Sequence, residues 1–179
     1  ANDIPLQEVL CASPEAETLL VGWGGTYGHL LTAANELNAE GVPVALAHFR
    51  YINPLPKNAL EELANLGADT IIRVGTCGGI ALPVQSGDVV VATGAVRMEG
   101  TSLEYAPLEW PAVPDFQAAS ALVQACRNQN RRWHAGVVQC KDSFYGQHSP
   151  GRMPVSYDLE QKWQAWKRPG VLASEMEGA

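Results

Sequence analysis

Hydrophobic positions along the chain form either short strand-like runs or helical repeats. These two kinds of segment alternate, which predicts strands separated by helices. Short runs of apolar and β-branched residues are typical of strands, and they occur at 18–21, 42–49, 70–76, 87–97, 133–140 and 171–176. Apolar residues recur at helical spacing at 27–40, 58–66, 115–128 and 156–167. This order predicts a three-layer α/β fold, with a mostly parallel sheet and helices on both faces.

The segments outside these elements are predicted to be irregular. Residues 1–17 are polar with two prolines and form a lead-in. Residues 100–114 are rich in proline and aromatic side chains and form a loop over the sheet. The stiff Asn-Pro-Leu-Pro connection at 53–56 is the best candidate for a domain boundary.

The predicted strand at 70–76 carries the clearest candidate chemistry. Arg73 interrupts an otherwise apolar run, and a charge inside an apolar strand is costly unless an opposite charge meets it. Thr76 supplies a hydroxyl, and Gly75, with two more glycines after it, lets backbone N–H groups approach an anion. Because open α/β sheets bind ligands at the carboxyl ends of their strands, this segment predicts a phosphate site. The alternative is an arginine paired with a carboxylate beside an ordinary glycine-rich turn.

Composition narrows the range of partners. The 179 residues are 46% hydrophobic and 17% charged, which indicates a globular core. The net charge of −7 argues against nucleic acid or an anionic membrane as a partner. Neither the cysteines nor the histidines have metal-binding or redox spacing. The sequence shows no signal peptide and no apolar run of about 18 residues, which predicts a cytoplasmic protein.

Several motifs after residue 57 occur in an order that resembles one family. They are Arg-Val-Gly-Thr at 73–76, Ser-Gly-Asp-Val-Val at 86–90, Ala-Pro-Leu-Glu-Trp-Pro-Ala at 106–112, Lys-Asp-Ser-Phe-Tyr-Gly-Gln-His at 141–148 and Ser-Glu-Met-Glu-Gly-Ala at 174–179. About residues 58–179 are therefore similar to nucleoside phosphorylases of the uridine phosphorylase type. The resemblance implies conversion of uridine and phosphate to uracil and ribose 1-phosphate. It implies inorganic phosphate as co-substrate, no cofactor and no metal, and it leaves a homo-oligomer open.

The resemblance also implies roles for individual residues. It assigns catalysis to Arg73 and Glu177. It assigns substrate binding to Gly75 and Thr76 for phosphate, Phe144, Gln147 and Arg152 for the base, and Glu175 and Met176 for the ribose. Alternation along the last predicted strand would turn Glu175 and Glu177 to one side and Met176 to the other. The alternatives are a solvated chain end for the glutamates, a solvated loop position for the arginine at 152, and a surface residue for His148.

The first third of the chain resembles a different family. Leu-Leu-Val-Gly-Trp-Gly-Gly-Thr-Tyr-Gly at 19–28 and the segment 44–56 are similar to the second domain of the α subunit of 2-oxoacid:ferredoxin oxidoreductases. The Gly-Asp-Pro-x-x-Arg loop and the Thr-Gly-x-Gly-Gly segment of the phosphorylases are absent, and the sequence stops just after the ribose motif. These features predict a chimeric or rearranged, truncated chain.

The two resemblances together predict a phosphorylase-like protein whose activity is impaired by the missing segments. Two alternatives stay open: a non-catalytic chimeric α/β domain, and a fragment of an oxidoreductase subunit. Residues 1–57 and 58–179 are expected to pack as one compact domain. In this domain the strands at 18–24 and 43–50 share a sheet with the strand at 70–76.

Overall fold

The computed structural model describes residues 4–11, 15–51 and 70–179. The chain divides into two units, Ala1–Asp69 and Thr70–Ala179, and each contains its own sheet. The predicted helix at 58–66 and the predicted boundary near residue 57 lie outside the described residues. The packing of the two parts as one compact domain therefore stays a prediction.

The first unit is a small sheet built on a strand–helix–strand unit. Its elements are β1 (Val9–Leu10), β2 (Thr18–Trp23), helix α1 (Tyr27–Ala39) and β3 (Val44–Phe49). β3 is the central strand, parallel to β2 and antiparallel to β1. Ala34 of α1 packs with Val44 and Leu46 of β3 in a fully buried core. The predicted strand–helix–strand unit is confirmed. β1, in contrast, forms where an irregular lead-in is predicted, because a strand of two residues is too short to show an alternating pattern.

The second unit contains a four-stranded sheet in the order β4-β7-β6-β5. Its elements are β4 (Gly78–Gly79), β5 (Val89–Met98), α2 (Phe116–Asn128), β6 (Trp133–Lys141), α3 (Phe144–His148), α4 (Ser156–Lys167) and β7 (Ala173–Glu175). β6 is parallel to both β5 and β7, and β4 runs antiparallel to β7. The predicted α/β class with mostly parallel pairing is confirmed.

Two helices of this unit begin at side-chain caps. The carboxylate of Asp115 accepts a hydrogen bond from the backbone N–H of Ala118 at 2.8 Å and starts α2. The hydroxyl of Ser143 accepts one from Gly146 at 3.1 Å and starts α3. Because α3 has only five residues, it is too short to show a helical repeat of apolar positions, and the sequence pattern does not predict it. It nevertheless positions two of the candidate site residues.

The predicted strand at 70–76 is wrong. Residues 70–77 form no strand in the part of the chain that the structure describes, and Ile71 and Val74 are each 90% exposed. Pairing begins only at Gly78–Gly79, which runs antiparallel to β7. Apolar and β-branched residues favour a strand when neighbouring elements pair with it and cover its side chains, and no described strand does so here. The sheet expected to join this segment to the first two predicted strands is therefore not formed by the described residues.

The loop after β5 is held by one arginine. Arg97 donates from Nε to the hydroxyl of Ser102 at 2.9 Å. Its terminal nitrogens donate to the backbone carbonyls of Ala106 at 2.8 Å and Trp110 at 2.7 Å. The predicted loop at 100–114 is confirmed, and these bonds order it although most of it has no regular structure.

Candidate active site

The carboxyl ends of β6 and β7 bring polar residues to one edge of the second sheet. Lys141 is the last residue of β6 and Glu175 is the last residue of β7, and the parallel register pairs Cys140 with Glu175. Open α/β sheets bind their ligands outside the carboxyl ends of the strands. The candidate site is therefore built at this edge, from β6, β7 and the segments around them.

Arg73 pairs with the carboxylates at the end of β7. Its Nη1 lies 3.5 Å from Oε2 of Glu175, and its Nη2 donates a hydrogen bond to Oε2 of Glu177. Glu175 is 8% exposed, whereas the side chain of Arg73 is 42% exposed and still meets solvent. Gly75 and Thr76, the other predicted phosphate ligands, are exposed. The carboxylate-paired arginine is thus observed, and phosphate binding by Arg73 stays a prediction.

The chain turns immediately after Glu175, and this turn decides how the two glutamates meet. β7 ends at Glu175, so alternation along a strand does not position Glu177. Instead the backbone N–H of Glu177 donates to Oε2 of Glu175 at 2.8 Å, and both carboxylates reach Arg73. Met176 is half-buried between them in the chain. A Cβ on Gly178 would lie 2.9 Å from the Glu175 carboxylate, so glycine keeps this position open.

One oxygen of the buried glutamate has no hydrogen-bond partner among the described residues. Oε1 of Glu175 is buried and accepts no hydrogen bond from the residues that the structure describes. A buried carboxylate oxygen is costly to leave unmatched. A ligand hydroxyl that donates a hydrogen bond to this oxygen would remove this cost.

The residues predicted to hold the base lie on α3 and the turn after it. Phe144 is 52% exposed, and its ring centroid lies 4.5 Å from that of His148. Oε1 of Gln147 accepts a hydrogen bond from Nε2 of Gln139 at 2.8 Å, which leaves the NH₂ group of Gln147 as a donor. Arg152 ends the 3₁₀ turn Pro150–Arg152 and is exposed. The structure thus brings Phe144 and Gln147 together on one short helix.

A buried lysine that the sequence analysis does not select lies beside α3. Lys141 is 1% exposed, its Nζ donates to the hydroxyl of Ser174, and it lies 3.4 Å from Nε2 of His148. Burial lowers the pKa of Lys141, although the Glu175 carboxylate raises it. Burial and the charge of Lys141 lower the pKa of His148. The available signal is a charged residue at the end of a predicted strand; Arg73 likewise stands next to apolar residues, but inside its run.

A cleft of about 460 Å³ opens beside α3. Gln147 and His148 line it from α3, and Trp163 lines it from α4. The ring of Trp163 also stands edge-on to His148, with 6.5 Å between the centroids. Because Gln147 is a predicted base ligand, this cleft adjoins the candidate site.

Other reactive chemistry is sparse around the site. Burial raises the pKa of Cys140 to about 11, so its thiol is unreactive at neutral pH. The three described stretches of the chain contain no cluster of His, Cys, Asp and Glu suited to a metal ion. Within those stretches no helix is long and apolar enough to cross a bilayer.

An arginine, two carboxylates and a lysine thus lie beside the carboxyl edge of an α/β sheet and form a polar candidate site. A family comparison matches residues 30–179 to the Phosphorylase superfamily, and the chain belongs to this superfamily.

Curated relatives agree with the family match. The uridine phosphorylase of Treponema pallidum is 54% identical over 137 residues, which cover 76% of this chain and 53% of the relative. The uridine phosphorylase of Escherichia coli K12 is 40% identical over 145 residues, with coverage of 78% and 56%. A guanosine phosphorylase of Halorubrum lacusprofundi is 38% identical over 121 residues, with coverage of 68% and 46%. The chain spans about half the length of the curated relatives it matches.

The family match also bears on the first third of the chain. It begins at residue 30, within α1, and continues through β3. It therefore includes much of the segment that resembles the oxidoreductases. Neither that resemblance nor a seam near residue 57 gains support from the comparisons, whereas the predicted kinship with nucleoside phosphorylases is confirmed.

Proposed function

We propose that the protein catalyses the phosphorolysis of uridine, with inorganic phosphate as co-substrate and no other cofactor. Superfamily membership and similarity to uridine phosphorylases support this function. The observation that carries it is the contact of Arg73 with both Glu175 and Glu177. A phosphate-binding cation and ribose-binding carboxylates must lie side by side at the reacting carbon. The family resemblance further supports a homo-oligomer in the cytoplasm.

Arg73, Gly75 and Thr76 are the proposed phosphate ligands. A guanidinium presents paired N–H donors that match the spacing of phosphate oxygens. In the free protein two carboxylates neutralise Arg73. The side chain of Glu177 is 60% exposed, so it is free to leave the guanidinium when phosphate arrives.

Glu175, Met176 and Glu177 are the proposed ribose ligands. In this proposal Oε1 of Glu175, which has no partner among the described residues, accepts a hydrogen bond from one ribose hydroxyl, and Glu177 accepts one from a second hydroxyl after it leaves Arg73. A phosphate oxygen then attacks C1′ of the ribose while the bond from C1′ to N1 of uracil breaks. The electron pair of that bond passes to the base, so the enzyme contributes mainly positioning and electrostatic stabilisation.

Phe144, Gln147 and Arg152 are the proposed base ligands. The exposed face of Phe144 offers a surface on which a pyrimidine can stack. The NH₂ group of Gln147 is left to donate to a base carbonyl, because its oxygen is held by Gln139. Arg152 lies on the 3₁₀ turn that follows α3 and is proposed to supply a cation to the base.

The test is the phosphate dependence of uridine cleavage by the purified protein. We expect uracil to appear only when phosphate is present, and phosphorus NMR to show ribose 1-phosphate in equal amount. Uracil release without phosphate would mean hydrolysis and would contradict the proposal, as would no cleavage at all. Guanosine as a parallel substrate separates a uridine enzyme from one with the specificity that the Halorubrum relative's name states.

A further inference from the structure

The ammonium group of Lys141 is buried, and its hydrogen-bond partners among the described residues are neutral. Lys141 is 1% exposed, and its Nζ contacts the hydroxyl of Ser174 and the imidazole of His148. Among the described residues no carboxylate lies within ion-pair distance of it; the four pairs found there involve other cations. The nearby Glu175 carboxylate acts on Lys141 without forming a direct ion pair with it. A buried cation that is only partly compensated is costly, and that cost falls when an anion forms beside it.

A charged Lys141 determines which nitrogen of His148 carries the proton in their contact. An ammonium group can only donate, so Nε2 of His148 accepts at 3.4 Å. A neutral imidazole then holds its proton on Nδ1 and presents that N–H as a donor. The lowered pKa of His148, caused by burial and by Lys141, favours this neutral form.

His148 stands where the proposed base ligands lie. It follows Gln147 on α3, packs against the ring of Phe144 at 4.5 Å, and lines the cleft with Gln147. We propose that His148 donates from Nδ1 to a carbonyl oxygen of the departing base, and that Lys141 acts through His148 to stabilise the negative charge of that base. This inference rests on the proposed phosphorolysis of uridine.

The step is balanced without any further reactant. As the bond from C1′ to N1 breaks, its electron pair delocalises onto the carbonyl oxygens of uracil. The hydrogen bond from His148 shortens, but the proton stays on Nδ1. The uracil anion takes its proton from water after it leaves the site, and the proposed role requires Lys141 in its charged form. A charge fixed in advance at this position needs no rearrangement when the negative charge develops.

Leaving-group dependence separates this role from a structural one. In Lys141→Met the turnover of uridine should fall about ten- to hundredfold, as expected for a lost charge-assisted hydrogen bond. The turnover of 5-fluorouridine should fall much less, because its base leaves more readily as an anion. An equal loss on both substrates would overturn the proposal. Lys162→Met, the same replacement at an exposed lysine of α4, should leave both rates unchanged.

A binding measurement makes the inference independent of turnover. Calorimetry compares uracil with 5-nitrouracil, which is an anion at neutral pH. The wild-type protein should prefer the anion, and Lys141→Met should lose about ten- to hundredfold of affinity for the anion alone. No preference in the wild-type protein, or an equal loss for both ligands, would overturn it. If uridine is not cleaved but the anion preference depends on Lys141, the proposed phosphorolysis fails while the cation site stands.

A second variant covers the case in which Lys141→Met does not fold. His148→Phe keeps a ring against Phe144 but removes the N–H donor at an exposed position. The same selective loss for uridine over 5-fluorouridine is expected. Equal rates of the variant and the wild-type protein on uridine would count against the proposal.

Discussion

Nη1 of Arg73 lies 3.5 Å from Oε2 of Glu175, so the segment proposed to bind phosphate is tied to the end of β7. The pair is unequal, because the carboxylate is buried and the guanidinium is partly exposed. The buried carboxylate therefore holds the guanidinium of Arg73 in one orientation at the protein surface. Several consequences of this arrangement can be measured.

Replacement of Arg73 by alanine should weaken phosphate binding. The variant loses the charge-assisted hydrogen bonds of the guanidinium, which corresponds to about 1.5–3 kcal/mol. Titration calorimetry with inorganic phosphate gives the two affinities directly. Arg131→Ala, at an exposed arginine in the turn before β6, is the control and should bind phosphate as the wild-type protein does. Equal phosphate affinity of the Arg73 variant and the wild-type protein would show that Arg73 does not bind phosphate.

A methyl group at Gly178 should disturb the ribose site with little effect on stability. The added Cβ would lie 2.9 Å from the carboxylate of Glu175, and the end of a side chain can move aside. We expect Gly178→Ala to raise the KM for uridine by about tenfold, since one charge-assisted hydrogen bond is misplaced. Gly28→Ala, where the added Cβ meets nothing within 4 Å, is the matched control. An unchanged KM would show that this carboxylate does not bind the ribose.

The stability contribution of Asp88 should disappear at low pH. The backbone N–H of Gln85 and the imidazole of His134, each 2.8 Å from Oδ2, hold the pKa of Asp88 below its ordinary value, and Arg132 adds to the effect. A lowered pKa stabilises the fold fully above the ordinary value of about 3.9 and loses this effect as the pH falls through the lowered one.

Urea unfolding measures this effect. The midpoint of Asp88→Asn should lie below that of the wild-type protein at about pH 7, and the gap should close as the pH drops below about 3.9. The exposed Asp158, replaced by asparagine, should show a much smaller gap at neutral pH. A gap for Asp88 that widens in acid would contradict the assigned direction of the pKa.

Alkylation should distinguish two thiols near the site. Cys77 is exposed, whereas Cys140 is fully buried and burial raises its pKa to about 11. We therefore expect iodoacetamide to modify Cys77 well before Cys140 at about pH 8, as read by mass spectrometry of the digested protein. Denatured protein, in which both thiols react, is the control. Early modification of Cys140 in the folded protein would mean that the edge formed by β6 and β7 opens to solvent.

Local sequence pattern determined the secondary structure of most of the second unit. The strands near 87–97 and 133–140 and the helices near 115–128 and 156–167 appear close to their predicted bounds. Each of these elements has a period long enough to identify it, and Asp115 supplies a helix cap that depends only on its near neighbours. The order of the motifs also indicated the family, because a motif can be recognised without knowing which residues contact one another.

Only the tertiary structure decided which residues of the candidate site contact one another. The exposure of Ile71 and Val74 depends on whether neighbouring elements cover them, which the pattern of a single segment cannot report. The contact of Arg73 with Glu175 and the burial of Lys141 against His148 join residues far apart in the chain. The sequence indicated Arg73, Glu175 and Glu177, whereas only the packing of β6, β7 and α3 revealed Lys141, because the energy of a buried charge depends on the partners that the fold brings to it.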